Sequence, residues 1–514
     1  MVQSTNLSKG ELVQNGDVLG SCLLCIIGYR GGVPIRFVYT ARFNLPYIVR
    51  IRKIMAENVI ASDDEVLKNI KTLLWGSTVK EDIFKRWAQG FYFSVDEPTA
   101  LVQREGGPCA VIASVQAFIL KQLLLESDVI TWKTIQTKKC DQLLVKAMIE
   151  IINQAVNVRD PKYSIVYVND SNDFVSGKES SNSKLTESAI NSAQDTSEAD
   201  QISETNLVTK QAPLESEVFH SQLRIFITRS IDDVEDFFTE RIGMLKDQYG
   251  VLLLLYTVMS TKGASEICLE MLEPIEPMID STYGYGSQNL INLMLTGRAV
   301  SHVWDHDQDI SGLKLRGIDK QNKVGFLTLL EHLRYCEVGT FLKSPSHPIW
   351  VVGSDTHLTV LFSTEKRLVS PETPAEQARR IFKRFDPEGN NFIAANQLQN
   401  VMAELGLVTD AEYVNIIRRK LDSENLGIIL LALFMDEFFP EESCMCPDTF
   451  VLYHYNGLQR SNPENRVKYH MGQAVLLECT VKCIMDSNPM LTVLQTKWPR
   501  IEIQWDIGRN PSLN

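Results

Sequence analysis

The chain has 514 residues, 44% of them hydrophobic and 22% charged, and carries a formal net charge of −13. That length accommodates two to four domains with a sizeable core, and the composition is that of an ordinary soluble globular protein. The acidic balance argues against non-specific nucleic-acid binding and suits a basic partner. The ten cysteines are scattered, at 22, 25, 109, 140, 268, 336, 444, 446, 479 and 483, so they do not form a disulfide scaffold. This usage fits a reducing cytoplasm or nucleus, and neither Cys22-x-x-Cys25 nor Cys444-x-Cys446 has a companion pair at zinc-ligand spacing.

Residues 1–54 form an extension of unknown role. Its apolar run, 18–28, is too short to span a bilayer, and the following stretch, rich in arginine, has no acidic residue between Asp17 and Glu57. A signal peptide does not fit; a mitochondrial presequence is a secondary reading. From residue 55 the pattern predicts helices over 65–74, with Asp63 as N-cap, and over 80–89, then an aromatic stretch at 91–94.

Next comes Gln103-Arg104-Glu105-Gly106-Gly107-Pro108-Cys109-Ala110, running into an apolar helix over 109–125 that must be buried on nearly every face. Pro108 suits the first helical position, and Gly106 and Gly107 let the backbone turn sharply and approach a ligand. Cys109 then sits at the positive end of the helix dipole, which favours a thiolate nucleophile. Gln103, six residues upstream, has the spacing of the oxyanion-binding glutamine of papain-like thiol enzymes. The competing reading of Cys109 is an inert core cysteine, since free cysteine is among the most buried residue types.

A helix over 141–156 and a strand over 163–168 follow. Residues 170–217 turn to Ser, Glu, Asp, Asn, Thr and Lys with almost no aromatics, which predicts a disordered acidic insert. Beyond it the pattern predicts a strand at 223–226, helices over 231–246, 249–260, 288–295 and 327–335, and two strands, 348–353 and 357–363, joined by a short turn.

Residues 375–440 read as a pair of EF-hands whose loops have lost their strongest calcium ligand. The first loop offers oxygen at Asp386, Glu388 and Asn390 but has Asn391 where glycine belongs and Gln397 where a bidentate glutamate belongs; the second, from Asp422, has Leu433 at that last position. The expectation is an EF-hand-like fold with weak or absent calcium binding. The end of the chain, 449–457, 473–483 and 491–506, alternates as strands do and is expected to rejoin the sheet begun at 348.

A thiol nucleophile needs a base. Of eight histidines, His220 and His332 have nothing to fix their rings, His347 is in a turn, and His454 and His470 lie among strands as structural residues. That leaves His357, which starts a strand as in thiol proteases, and the cluster around His302, Trp304 and His306. For orienting His357, Thr359 on the same strand face and Asp355 in the turn are the two options.

Together, Glu105-Gly106-Gly107-Pro108-Cys109-Ala110-Val111-Ile112-Ala113, Trp87-Ala88-Gln89-Gly90-Phe91, Asn292-Leu293-Met294-Leu295-Thr296-Gly297-Arg298-Ala299-Val300, Gly353-Ser354-Asp355-Thr356-His357-Leu358-Thr359-Val360 and Lys497-Trp498-Pro499 resemble the MINDY family of deubiquitinating cysteine proteases. The likeness is greatest to its branch with an EF-hand-like insertion and runs from about residue 55 to the end. It implies an α+β fold: a papain-like cysteine protease core, 55–169 and 218–370, completed by C-terminal strands over 441–514, with a helical EF-hand-like insertion at 371–440. It also implies Cys109 as nucleophile, His357 as general base and acid, Gln103 as oxyanion residue, no cofactor, and polyubiquitin as substrate with a preference for lysine 48-linked chains. A monomer that binds neither nucleic acid nor membrane is expected. Gly106 and Gly107 are expected to wall a channel too narrow for any side chain, matching ubiquitin's two terminal glycines. The competing readings are another Cys-His acyl transferase or amidase, and an inactive binding module.

Overall fold

The computed structural model describes residues 21–30, 33–42, 62–126, 137–157, 161–168, 214–271, 276–310, 313–370, 373–386, 390–440, 446–477 and 488–514. Of the acidic insert expected over 170–217, residues 170–213 lie outside the described residues, as do Glu388, Cys444, Cys479 and Cys483, while its end is not disordered but enters the helix Glu215–Gln222. In the N-terminal extension, the strands Ser21–Arg30 and Val33–Arg42 pair antiparallel.

Two helices that are apolar all round form the hub. Cys109–Glu126 and Gly250–Lys262 touch each other, and the amphipathic helix Thr137–Ala155 packs on both. Helices with no polar face must be enclosed. Val111, Val115, Phe118, Ile119 and Leu120 accordingly have 0% exposure. Full burial of each such side chain is worth roughly 1.5–3 kcal/mol.

A six-stranded sheet lies against this hub. Across it run Ile501–Trp505, Tyr469–Leu476, Thr449–Tyr455, Leu358–Phe362, Ile349–Gly353 and Gly325–Thr328, antiparallel throughout except for the last pair, which is parallel. Side chains alternate between two faces. Ile349 and Val351 join the main core with the helices, while Trp350 and Val352 join a second cluster closed by Met490, Val493, Leu494 and Trp498. The fold is thus mixed α and β around a mixed sheet.

Residues 374–438 lie between two neighbouring strands of that sheet. Four helices, Pro374–Arg384, Leu398–Glu404, Ala411–Leu421 and Leu431–Phe438, gather around their own apolar cluster, and two short strands, Phe392–Ala394 and Ile428–Leu430, pair antiparallel between them.

Several sequence expectations shift. The helix expected over 327–335 is instead the strand Gly325–Thr328 followed by one turn, Leu329–His332, because the buried run pairs with Ile349–Gly353. Residues 491–506 are not one strand: Asn488 caps the helix Pro489–Lys497, with proline in its first turn, and only Ile501–Trp505 is extended. The expected strand over 473–483 begins earlier, as Tyr469–Leu476. The predicted helix over 231–246 breaks at Arg241 into Ile231–Glu240 and Ile242–Lys246, and Ser62 rather than Asp63 precedes the first helix.

Candidate active site

Cys109 opens the buried helix, and the carbonyl of Pro108 accepts from the N–H groups of Val111 and Ile112. Gly107 turns the chain into it at φ +133°, where a Cβ would stand 3.1 Å from Trp87 Nε1. Trp87 is itself fixed, donating to Gly284 O at 2.9 Å. A side chain at 107 thus meets both backbone strain and the indole.

The Cys109 thiol is 4% exposed and donates to Gly107 O at 3.8 Å. Burial pushes it up to about 11, against the pull of backbone amides that include Leu358 next to His357. The helix dipole therefore does not by itself produce the thiolate anticipated from Cys109's position.

His357 ends a tight turn. Ser354 N–H donates to His357 O at 3.0 Å, and Ser354 Oγ accepts from the N–H groups of His357 at 3.0 Å and Thr356 at 3.3 Å. The imidazole is 6% exposed, and its Nε2 lies 2.9 Å from Asn456 Oδ1. Burial lowers His357 to about 4, the Asn456 bond opposes that shift, and the Arg460 charge adds to it. Among the described residues no hydrogen bond joins the thiol to the imidazole.

Thr359 does not orient the ring: its Oγ1 is buried without a hydrogen-bond partner among the described residues, and Asp355 is exposed in the turn. The residue against the imidazole, Asn456, was not singled out from sequence. Followed by glycine at a strand end, it reads only as a turn signal.

Gln103 is 1% exposed, and its backbone pairs with Leu458, with Gln103 N–H donating to Gly457 O at 2.8 Å. The cysteine loop and the Asn456 corner are therefore stitched together. The Gln103 amide donates to Glu105 O at 2.8 Å. Gln89 clamps the same loop: its Oε1 accepts from Arg104 N–H at 2.9 Å and its Nε2 donates to Glu105 O at 3.1 Å. At Gly106 an added Cβ would stand 3.5 Å from the Arg460 guanidinium, which is ordinary contact.

The other histidines are used differently. His302 stacks on Trp304, with ring centroids 3.9 Å apart. His220, expected to be loose, is held by Tyr256 OH at 2.6 Å and by Ser216 O. His454 and His470 face each other on adjacent strands. Among the described residues no group of three or more His, Cys, Asp or Glu could hold a metal ion, and no single helix is long and apolar enough to cross a membrane.

A cysteine opening a buried helix, with a histidine and an asparagine at the ends of two neighbouring strands of the sheet it packs on, is an arrangement that suits a thiol hydrolase. The conserved domain described as that of the deubiquitinating enzyme MINDY-3/4 matches residues 71–383. The chain is 49% identical over 473 residues to the ubiquitin carboxyl-terminal hydrolase MINDY-3 homolog of Drosophila melanogaster, spanning 88% of this chain and 84% of that protein. It is 44% identical over 455 residues to ubiquitin carboxyl-terminal hydrolase MINDY-3 of Homo sapiens, 88% of this chain and 100% of that one. It is 30% identical over 351 residues to the probable ubiquitin carboxyl-terminal hydrolase MINDY-4 of Bos taurus, 66% of this chain and 40% of that one. No solved structure matches. The chain belongs to the MINDY-3/4 family of deubiquitinating enzymes and is a cysteine-type ubiquitin hydrolase.

Proposed function

We propose that the enzyme hydrolyses the isopeptide bond between the C-terminal glycine of one ubiquitin and a lysine of the next, in lysine 48-linked chains, through Cys109, His357 and Gln103. The observation that carries the assignment is the meeting of the two elements: the Cys109 sulfur lies against the backbone of Leu358, the residue after His357, at the start of the strand on which the cysteine helix packs.

Cys109 passes its proton to His357, and the sulfur attacks the glycine carbonyl to form a tetrahedral oxyanion that Gln103 and the Cys109 N–H stabilise. Collapse breaks the C–N bond while the imidazolium gives its proton to the departing lysine amine. Water, deprotonated by His357, then attacks the thioester and frees both the ubiquitin carboxylate and the thiol. Gly106 and Gly107 line the approach and admit only a substrate tail without side chains.

We read the core as papain-like, on the pairing of a helix-borne cysteine with a strand-borne histidine. Residues 374–438 we read as an EF-hand-like pair without a working calcium site. The supporting observation is that Asp386 and Asp422 turn their carboxylates to loop N–H groups, Asn390 at 3.0 Å and Leu426 at 2.7 Å among them, while neither loop ends in a bidentate glutamate.

The test is cleavage of tetraubiquitin of defined linkage by the wild type and by Cys109→Ala. Wild type is expected to cut the lysine 48-linked chain fastest and the variant to cut none. Equal cleavage by the two removes the assignment of Cys109, and equal rates on all linkages remove the preference.

A further inference from the structure

The contact between His357 and Asn456 has a direction, and the surrounding bonds determine it. Asn456 Nδ2 donates to Ser512 O at 3.1 Å, and Asn456 Oδ1 accepts from the Leu458 N–H at 3.0 Å. The amide cannot be reversed without losing both bonds, so the atom 2.9 Å from His357 Nε2 is an oxygen and can only accept. Nε2 must then carry the proton. A neutral imidazole has one N–H, so Nδ1 is left with a bare lone pair, the only site on the ring able to take the thiol proton.

We infer that Asn456 is the positioning residue of His357, fixing the tautomer that presents Nδ1 as the base. The inference rests on the reading of Cys109 and His357 as nucleophile and base. When the imidazolium forms, Nε2–H keeps its acceptor and the ring does not rotate. A neutral amide does this without the carboxylate charge that would hold the ring protonated, so the proton remains easy to pass on to the leaving amine.

The support around Asn456 is built for rigidity. The side chain is 2% exposed and stands just beyond the strand Thr449–Tyr455, where Tyr455 pairs with Val360 of the histidine strand. Asn462 Nδ2 closes the corner, donating to Asn456 O at 2.8 Å and Leu458 O at 2.9 Å. Residues 512–514 reach both partners: Ser512 O receives the Asn456 amide, while Asn514 Oδ1 accepts from Thr356 Oγ1 at 3.3 Å and from Ser354 Oγ in the histidine turn. Buried Leu513 anchors that segment in the second apolar cluster.

The test compares full-length wild type, Asn456→Ala, Asn456→Asp and Asn462→Ala by two readouts. One is the pH dependence, from 3.5 to 10, of chloroacetamide alkylation followed on the Cys109 peptide, which needs no ubiquitin. The other is kcat and KM on tetraubiquitin, below each variant's melting temperature. Asn456→Ala is expected to lower kcat roughly 10- to 100-fold with KM within about twofold, and to abolish the imidazole-dependent limb of the alkylation profile. Asn456→Asp is expected to move that limb to higher pH, because its charge favours the imidazolium. Asn462→Ala removes two bonds to the corner backbone but leaves the Asn456 amide in place, so it is expected to lower kcat less than Asn456→Ala and to retain the imidazole-dependent limb. An unchanged profile and kcat in Asn456→Ala overturn the inference, as does an equal loss in Asn462→Ala, which would mark the corner as structural support only. If wild type fails on every ubiquitin chain while alkylation still depends on Asn456, the substrate reading falls and the positioning role stands.

Discussion

Cys109 and His357 are both held neutral before substrate arrives, the thiol pushed up to about 11 and the imidazole down to about 4, each chiefly by burial. Neither group changes charge alone near neutral pH. The ion pair forms only when the proton moves between them, which places the weight of catalysis on geometry and on the oxyanion donors. Gln103→Ala is therefore expected to lower kcat by roughly 100-fold with a smaller change in KM, measured on tetraubiquitin; an equal rise in KM would make Gln103 a ground-state binding residue. Gly107 is constrained by φ +133° and by Trp87 3.1 Å from its missing Cβ. Gly107→Val is expected to reduce turnover at least tenfold and also to lower the melting temperature, which is more than the fold-neutral effect a simple channel wall predicts. An unchanged melting temperature with lost turnover would return Gly107 to that simpler role.

At the scale of elements, the helix Cys109–Glu126 joins chemistry to stability, since its first residue is the proposed nucleophile and its remaining faces are core. Leu120 has 0% exposure, and Leu120→Ala is expected to cost about 2–5 kcal/mol in chemical denaturation, because a packed interior does not collapse fully around the cavity. A loss below about 1 kcal/mol would show the site to be plastic. Not every stretch that carries the family resemblance carries chemistry. In the one from 292 to 300, Asn292 Nδ2 donates to Val300 O at 2.9 Å and His302 O at 3.1 Å, and Gly297 takes the left-handed cap at φ +74°, so that motif fixes a turn. The helix breaks and the strand at 325 were hidden for a related reason. A short apolar run is compatible with either state until its pairing partner is known.

For the whole molecule, buried histidines couple stability to pH. Burial is the leading cause that lowers His220 and His357 to about 4 and His454 to about 3, from an ordinary value near 6.5. Below about pH 6.5 the unfolded chain binds protons at these sites and the folded chain does not, so stability is fully present above that pH and is lost as pH falls toward 4. The slope is at most roughly 1.4 kcal/mol per pH unit for each histidine. The melting temperature is expected to drop between pH 7.5 and 5.0, and less so in His454→Leu, whose two ring nitrogens have no partner among the described residues. A flat profile in the wild type would contradict this. The same burial explains how much of the site was legible. Cys109, Gln103 and His357 are candidates through a glycine-proline turn, a fixed spacing and a strand start, all of them local features, and the family resemblance selects them over the alternatives. Asn456 lies 99 residues from His357 and has no local signature, because its role comes only from the pairing of two strands across the 374–438 segment.

In the sequence by itself, the resemblance of several motifs determined the enzyme family, while residue type and spacing along the chain determined the helix that opens at Cys109 and the apolar runs that had to be buried. The tertiary structure alone decided which strands are neighbours, and with that the partner of His357, the nitrogen that carries its proton, and the neutral resting state of the thiol. Hydrogen-bond direction and desolvation depend on what surrounds a group in space, and nothing in the order of residues states that.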